Sequence, residues 1–97
     1  MPEMHFVIRW PDGRRESCYS PSIVVRDYLA EGQCYALDDF LARMREALGI
    51  ASERVRAKYG HACSLALSQL ARLEAGAAPF AGHAGAQVAC ETFITEA

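Results

Sequence analysis

Hydrophobic and polar positions follow a period of two at both ends of the chain and a helical period in between. Residues 4–10, Met-His-Phe-Val-Ile-Arg-Trp, put Phe6, Ile8 and Trp10 on one face and Val7 and Arg9 on the other, the pattern of a half-buried strand. Pro11-Asp12-Gly13 is turn chemistry: proline presets φ and glycine tolerates its positive range. A second strand over 14–19 completes a β-hairpin. The run from Gln87 alternates again, with Val88, Cys90, Thr92 and Ile94 on one side. It predicts a third strand that joins the hairpin, since two strands alone are marginally stable.

The middle of the chain reads as helix. Ser20-Pro21-Ser22 opens a short one, with Ser20 as cap and Pro21 at the first position. Ile23, Val24, Tyr28 and Leu29 form its apolar side, and it ends near Ala30 before the breaker Glu31-Gly32-Gln33. Leu37, Leu41, Met44, Leu48, Ala51 and Val55 then recur at helical spacing. Asp38 and Asp39 suit the start of that long helix, Arg54, Arg56 and Lys58 its end, and Gly60 the position after the cap. Gly49 lies inside and costs roughly 1 kcal/mol against alanine. A further helix runs from His61 or Ala62 to Ala75 on the stripe Cys63, Ala66, Leu67, Leu70 and Leu73. Gly60 between the two helices predicts an antiparallel helical hairpin. Residues 76–86 are rich in glycine and alanine and read as a mobile loop.

The expected architecture is therefore α+β: a three-stranded antiparallel sheet, built from the N-terminal hairpin and the C-terminal strand, packed on a helical hairpin and one short helix. Ninety-seven residues make a single domain, 1–97. Ten basic against twelve acidic side chains, a net charge of -2, argue against binding nucleic acid or a membrane surface by bulk charge. No apolar run approaches the roughly 18 residues of a membrane span. The opening Met1-Pro-Glu-Met-His lacks the basic-then-apolar pattern of a signal peptide, so the expectation is a cytoplasmic protein. Half of the residues are hydrophobic, at 52%, and so small a domain cannot bury them all; a twofold homodimer is expected.

The four cysteines, Cys18, Cys34, Cys63 and Cys90, form no CxxC pair. In a reducing compartment they read as small hydrophobes. His61 and Cys63 on a helix would point about 200° apart and could not share a metal; only a non-helical turn would let them. No nucleophile sits in a recognisable elbow, and Asp38 and Asp39 are helix-start acids. No catalytic residue, metal ligand or cofactor is assigned. The densest polar cluster is Ser52–His61, where three cations, Arg54, Arg56 and Lys58, stand against Glu53. Arginine there suits an anion such as phosphate or carboxylate; complementing the helix dipole is the plainer role. The candidate binding residues are Arg54, Arg56, Lys58, Tyr59 and His61, together with Tyr19 and Ser20 from the Tyr19–Val25 segment. Arg9, Arg14 and Arg15 near the hairpin tip are offset by Glu3, Asp12 and Glu16, which weighs against a nucleic-acid platform.

Several phrases are distinctive: Met1-Pro-Glu-Met-His-Phe, Arg9-Trp-Pro-Asp-Gly, Cys18-Tyr-Ser-Pro-Ser with Val25 beyond it, Ile50-Ala-Ser-Glu-Arg-Val-Arg-Ala-Lys-Tyr-Gly and Cys63-Ser. From residue 1 to about 75 the chain resembles a small bacterial family named for a nitrogen-starvation response, whose members have about this length. The tail after Gly76 is less distinctive. That resemblance implies a gene neighbourhood with a nitrilase-type hydrolase, a radical enzyme, an acetyltransferase-like protein and a flavoprotein. It brings no assigned activity and no functional residues. The reading it supports is a non-enzymatic accessory protein of nitrogen assimilation that binds a pathway enzyme or a small anionic ligand. The alternatives are a metal-dependent enzyme or subunit using Cys18, Cys34, Cys63 and His61, and a nucleic-acid-binding regulator.

Overall fold

A computed structural model of the chain describes residues 3–61 and 63–95. Ala62, a candidate helix start, lies outside the described residues, as do both ends of the chain. The elements in order are β1 (Met4–Arg9), β2 (Arg15–Ser20), a 3-10 turn (Ile23–Asp27), β3 (Cys34–Ala36), α1 (Leu37–Tyr59), α2 (Ser64–Ala77), a second 3-10 turn (Ala78–Phe80) and β4 (Gln87–Thr95). The sheet is antiparallel throughout in the order β2-β1-β4-β3. The hairpin and the C-terminal strand pair as expected, but the sheet has four strands, not three. The added strand, Cys34–Ala36, lies just beyond the segment read as a helix breaker. Gly32 N–H donates to the Cys90 carbonyl at 2.8 Å and Cys90 N–H to the Gln33 carbonyl at 2.8 Å, so Gly32 and Gln33 lead the chain along β4. Three residues are too few for alternation to show in a sequence.

β4 does not keep one phase. Val7 pairs with Thr92 and Ile8 with Cys90, leaving Glu91 as the extra residue of a β-bulge. Val88 and Cys90 face the core before the bulge. Beyond it Phe93, opposite Phe6, packs against the core. Thr92 and Ile94, expected to share the face of Val88 and Cys90, are exposed instead.

Both helices cover the face of the sheet that carries Met4, Phe6, Ile8, Cys18, Val88 and Cys90. α1 contributes Leu37, Phe40, Met44, Ala47, Leu48 and Ala51. Phe40 belongs to this set although the expected stripe passes over it, and Leu41 and Val55 are only half-buried. Gly60, at φ 85°, ends α1 with its N–H on the Arg56 carbonyl at 2.8 Å. α2 starts at Ser64 rather than 61–62 and buries Ala66, Gln69, Leu73 and Ala77. Leu67, expected in the apolar stripe, points outward; Gln69 takes the buried position between Ala66 and Leu73. α2 also outruns its expected end at Ala75. Gly76 is helical, and Trp10 leaves no room there for a Cβ, which would stand 2.7 Å from the indole Cζ2.

The short helix over 21–30 reduces to the 3-10 turn Ile23–Asp27. Three consecutive β-branched residues, Ile23-Val24-Val25, disfavour an α-helix, and Val24, Val25 and Leu29 anchor the turn in the core. Its cap is Ser22, whose Oγ accepts from Val24 N–H at 3.3 Å; Ser20, the expected cap, is the last residue of β2.

Side chains protect the strand edges that the short β3 and the terminal β2 leave open. Gln69 Oε1 accepts from Tyr19 N–H on β2 at 2.9 Å, while its buried Nε2 has no partner among the described residues. Past β3, the Glu31 carboxylate accepts from Phe93 N–H at 2.8 Å and Thr92 Oγ1 at 2.9 Å. The Phe93 N–H, then the Thr92 hydroxyl, hold the Glu31 carboxyl below its ordinary value of 4.5. A depressed carboxyl stabilises the fold above that ordinary value, and the contribution fades as pH falls through the lower folded-state value. Wild type is therefore expected to exceed Glu31→Gln in denaturant midpoint at neutral pH and to converge with it in acid. A difference that stays constant from about pH 7 to about pH 3 would contradict this linkage.

Candidate functional site

The two segments singled out as candidates meet in space. The second half of α1 lies beside the turn after β2, and Arg54 Nη1 donates to Ser22 Oγ at 2.9 Å. Ser22 N–H donates in turn to Ser20 Oγ at 3.2 Å, and Ser20 Oγ donates to the Ser22 carbonyl at 2.6 Å. Both serines are buried. Ser20 thus acts within the turn, and through Ser22 the turn holds Arg54 in place. Arg54 lines an open cleft of about 460 Å³ with Ile23, Val24, Arg26 and Asp27. Two arginines from different elements line one cavity, together with one acidic residue, Asp27.

A second, smaller cleft of about 220 Å³ joins Tyr19 and Tyr59 with Glu3, Pro21, Val55 and Cys63. The Tyr19 ring meets His5 edge-on at a centroid distance of 5.5 Å, and its hydroxyl donates to Glu3 Oε2 at 3.0 Å. Burial, then the bond to Glu3, raise the Tyr19 phenol to about 12. It remains a protonated donor at neutral pH. The Glu3 carboxylate makes this cleft unfavourable for an anion.

The remaining candidates sit on the exposed end of α1 and line neither cleft. Arg56 stands 3.5 Å from Glu53 on the preceding turn, an exposed pair of little energetic weight. Lys58 Nζ lies 5.5 Å from the centroid of the Tyr59 ring. His61 follows Gly60 and is exposed. The structure therefore brings Arg54 to one cleft and Tyr19 and Tyr59 to the other. It adds Arg26, which sequence reasoning missed; the available signal was its place, the lone cation of the 20–30 segment.

The thiols divide into two classes. Cys18 and Cys90 face the core, and burial pushes the Cys90 thiol up to about 11 and the Cys18 thiol further still. Cys34 is exposed on β3 and Cys63 half-buried at the start of α2. Among the described residues, no three His, Cys, Asp or Glu side chains come together as a metal site. On the uncovered face of the sheet, Glu91 receives Arg9 Nη2 and Arg15 Nε, each at 2.7 Å. The bulge thus supplies the acid that neutralises the hairpin cations, with Asp12 on Arg14 at 2.7 Å. No helix among the described residues is long and apolar enough to cross a membrane.

These features define a small two-layer α+β domain with shallow surface clefts, the most cationic of them where α1 meets the turn after β2. The family described as nitrogen starvation-induced protein NitG matches residues 5–93, and the chain belongs to that family. The match reaches well past residue 75, so the tail as far as residue 93, within β4, is part of the family pattern. No curated protein and no solved structure matches the chain.

Proposed function

We propose that the protein serves the nitrogen-starvation response as a non-enzymatic binding protein, taking an anionic group at the Arg26–Arg54 cleft. The carboxylate or phosphate so bound belongs to a small metabolite or to a partner enzyme of the pathway. The observation that carries this reading is the convergence of two arginines from distant segments on one cleft, one of them oriented by a buried serine turn. Arginine stays charged at any physiological pH, so the cleft offers charge and geometry rather than proton transfer. The planar fork of Arg54 keeps donors beyond the one used on Ser22. Ile23, 37% exposed at the rim, adds an apolar contact for the carbon skeleton of a ligand. Arg56 and Lys58 stand outside the cleft and enrich the local field that draws an anion in.

The test is calorimetric titration with inorganic phosphate, with dicarboxylates, and with proteins captured by the chain from nitrogen-starved cells. Arg26→Ala is expected to weaken the bound species about tenfold to a hundredfold, since one charge-assisted contact is worth roughly 1.5–3 kcal/mol. Its melting temperature is expected to move by no more than a few degrees, because Arg26 is exposed. Arg56→Ala should change affinity much less. Equal affinity in wild type and Arg26→Ala would remove the cleft from the function.

A further inference from the structure

The Tyr19–Tyr59 cleft has the chemistry for a ligand of the opposite charge to that of the Arg26–Arg54 cleft. Its lining converges from separate parts of the chain: Glu3 before β1, Tyr19 on β2, Pro21 in the turn beyond it, Val55 and Tyr59 on α1 and Cys63 ahead of α2. At about 220 Å³ it is smaller than the roughly 300–1,000 Å³ of pockets for drug-sized molecules, so it suits a group of few heavy atoms. Glu3 is the charged side chain of this lining. Glu91 and Glu53 meet guanidinium groups, of Arg9, Arg15 and Arg56. Glu3 instead accepts the Tyr19 hydroxyl at 3.0 Å, a neutral donor that positions the carboxylate and leaves its charge in place. A carboxylate accepts up to about four hydrogen bonds, and the phenol uses one. Tyr19 is itself braced: its N–H donates to Gln69 Oε1 at 2.9 Å, and its ring meets His5 at 5.5 Å with an interplanar angle of 62°.

A carboxylate beside two tyrosine rings attracts an organic cation in two ways. The charges pair, and the negative face of an aromatic ring adds a cation–π attraction. The Tyr59 ring already shows this property, with Lys58 Nζ 5.5 Å from its centroid. Pro21 and Val55 add apolar surface for the carbon substituents of the nitrogen. A calcium ion fits poorly, because it takes about six to eight oxygen ligands, whereas the lining offers one carboxylate and two phenols. We infer that this cleft binds a small alkylammonium group, with Glu3 as its counter-charge and Tyr19 and Tyr59 as its aromatic walls. A free amine and the side chain of a lysine on another protein present the same group, and the test below separates these two sources.

NMR spectra of the tyrosine ring carbons and protons, at neutral pH and constant chloride, read binding at the cleft itself, whatever binds between Arg26 and Arg54. Methylammonium and tetramethylammonium chloride are the free probes, N-acetyl-lysine methylamide stands for a protein side chain, and tert-butanol is the uncharged control. The ammonium probes are expected to shift the Tyr19 resonances saturably, the best of them with a dissociation constant below about 10 mM, and tert-butanol to leave them in place. The tighter of the free and lysine probes identifies the source. Glu3→Gln keeps an acceptor for the Tyr19 hydroxyl but loses the charge, and should weaken binding roughly tenfold or more. Tyr59→Leu should weaken it roughly threefold to tenfold, while Tyr59→Phe, which keeps the ring, should bind as wild type does. Glu3 and Tyr59 are both exposed, so these variants are expected to fold. Arg26→Ala should leave amine binding unchanged, which separates this site from the anion cleft. No saturable shift up to about 100 mM of any ammonium probe overturns the proposal. So do equal affinities of wild type and Glu3→Gln, or shifts as large with tert-butanol.

Discussion

Trp10→Ala is expected to lower the stability of the domain by about 3–5 kcal/mol. The indole is 2% exposed and closes one end of the core. It meets Phe40 edge-on at 6.1 Å and stacks on Phe80 at 6.3 Å with an interplanar angle of 20°. Its Nε1 donates to Glu16 Oε1 at 3.0 Å, which locks the ring's orientation. Removal empties a space bounded by α1, α2 and the second 3-10 turn, three elements that cannot close together on it without moving the sheet. A domain of this size has roughly 5–15 kcal/mol in total. At about 4–8 °C per kcal/mol the melting temperature should fall by more than about 10 °C. Thermal and urea unfolding followed by far-ultraviolet circular dichroism measures this, since the variant loses the chain's single tryptophan as a fluorescence probe. A loss under about 1 kcal/mol would mean that Trp10 is a lid over the core rather than part of it.

The elements that a reader of the sequence can find are those whose local signals agree with their burial. β1 alternates cleanly because Met4, Phe6 and Ile8 face the helices and His5, Val7 and Arg9 do not. The hairpin turn is visible because Pro11 and Gly13 are needed there, Gly13 at φ 91°. α1 is visible because 23 residues repeat its period several times. What stays hidden depends on partners distant in sequence. β3 has three residues and exists because Gly32 and Gln33 are already bonded to Cys90. The Glu91 bulge depends on register against β1, so the alternation of Val88 and Cys90 does not extend to Thr92 and Ile94, and nothing local says so. Gln69 reads as polar surface and is buried, because its amide serves the free Tyr19 N–H of β2.

The candidate site was legible to the same extent. Three cations at the end of α1 stand out in the sequence, but successive residues on a helix turn by about 100°, so Arg54 and Arg56 diverge by about 200°. That divergence sends Arg54 to Ser22 and the cleft, and leaves Arg56 at the surface with Glu53. Arg26 carries no local signal beyond its isolation; it becomes a candidate because Val24, Val25 and Leu29 fix the turn that presents it. Tyr19 and Tyr59, chosen from separate segments, share a cleft, yet Glu3 in that cleft makes it the wrong one for an anion.

The two helical glycines away from the turn positions should respond to alanine with opposite signs. Gly49→Ala gains helix propensity of about 0.5–1 kcal/mol. Nothing stands within 4 Å of the new Cβ to offset it. In denaturant unfolding, this variant should be the more stable. Gly76→Ala gains the same propensity but places its Cβ 2.7 Å from Trp10 Cζ2 and 3.2 Å from Cη2. The ring has little freedom to retreat, with Phe40 and Phe80 against it and its nitrogen tied to Glu16. Overpacking of a well-filled core costs about 1–3 kcal/mol, so the balance is a net loss of up to about 2 kcal/mol. The cause is separable by a double-mutant cycle, because the two sites touch. In a Trp10→Phe background the six-membered ring that carries Cζ2 and Cη2 is gone, and Gly76→Ala should become neutral or stabilising. Denaturant midpoints of the four chains read the coupling directly. If Gly76→Ala destabilises equally in both backgrounds, the indole is not what requires glycine at this position.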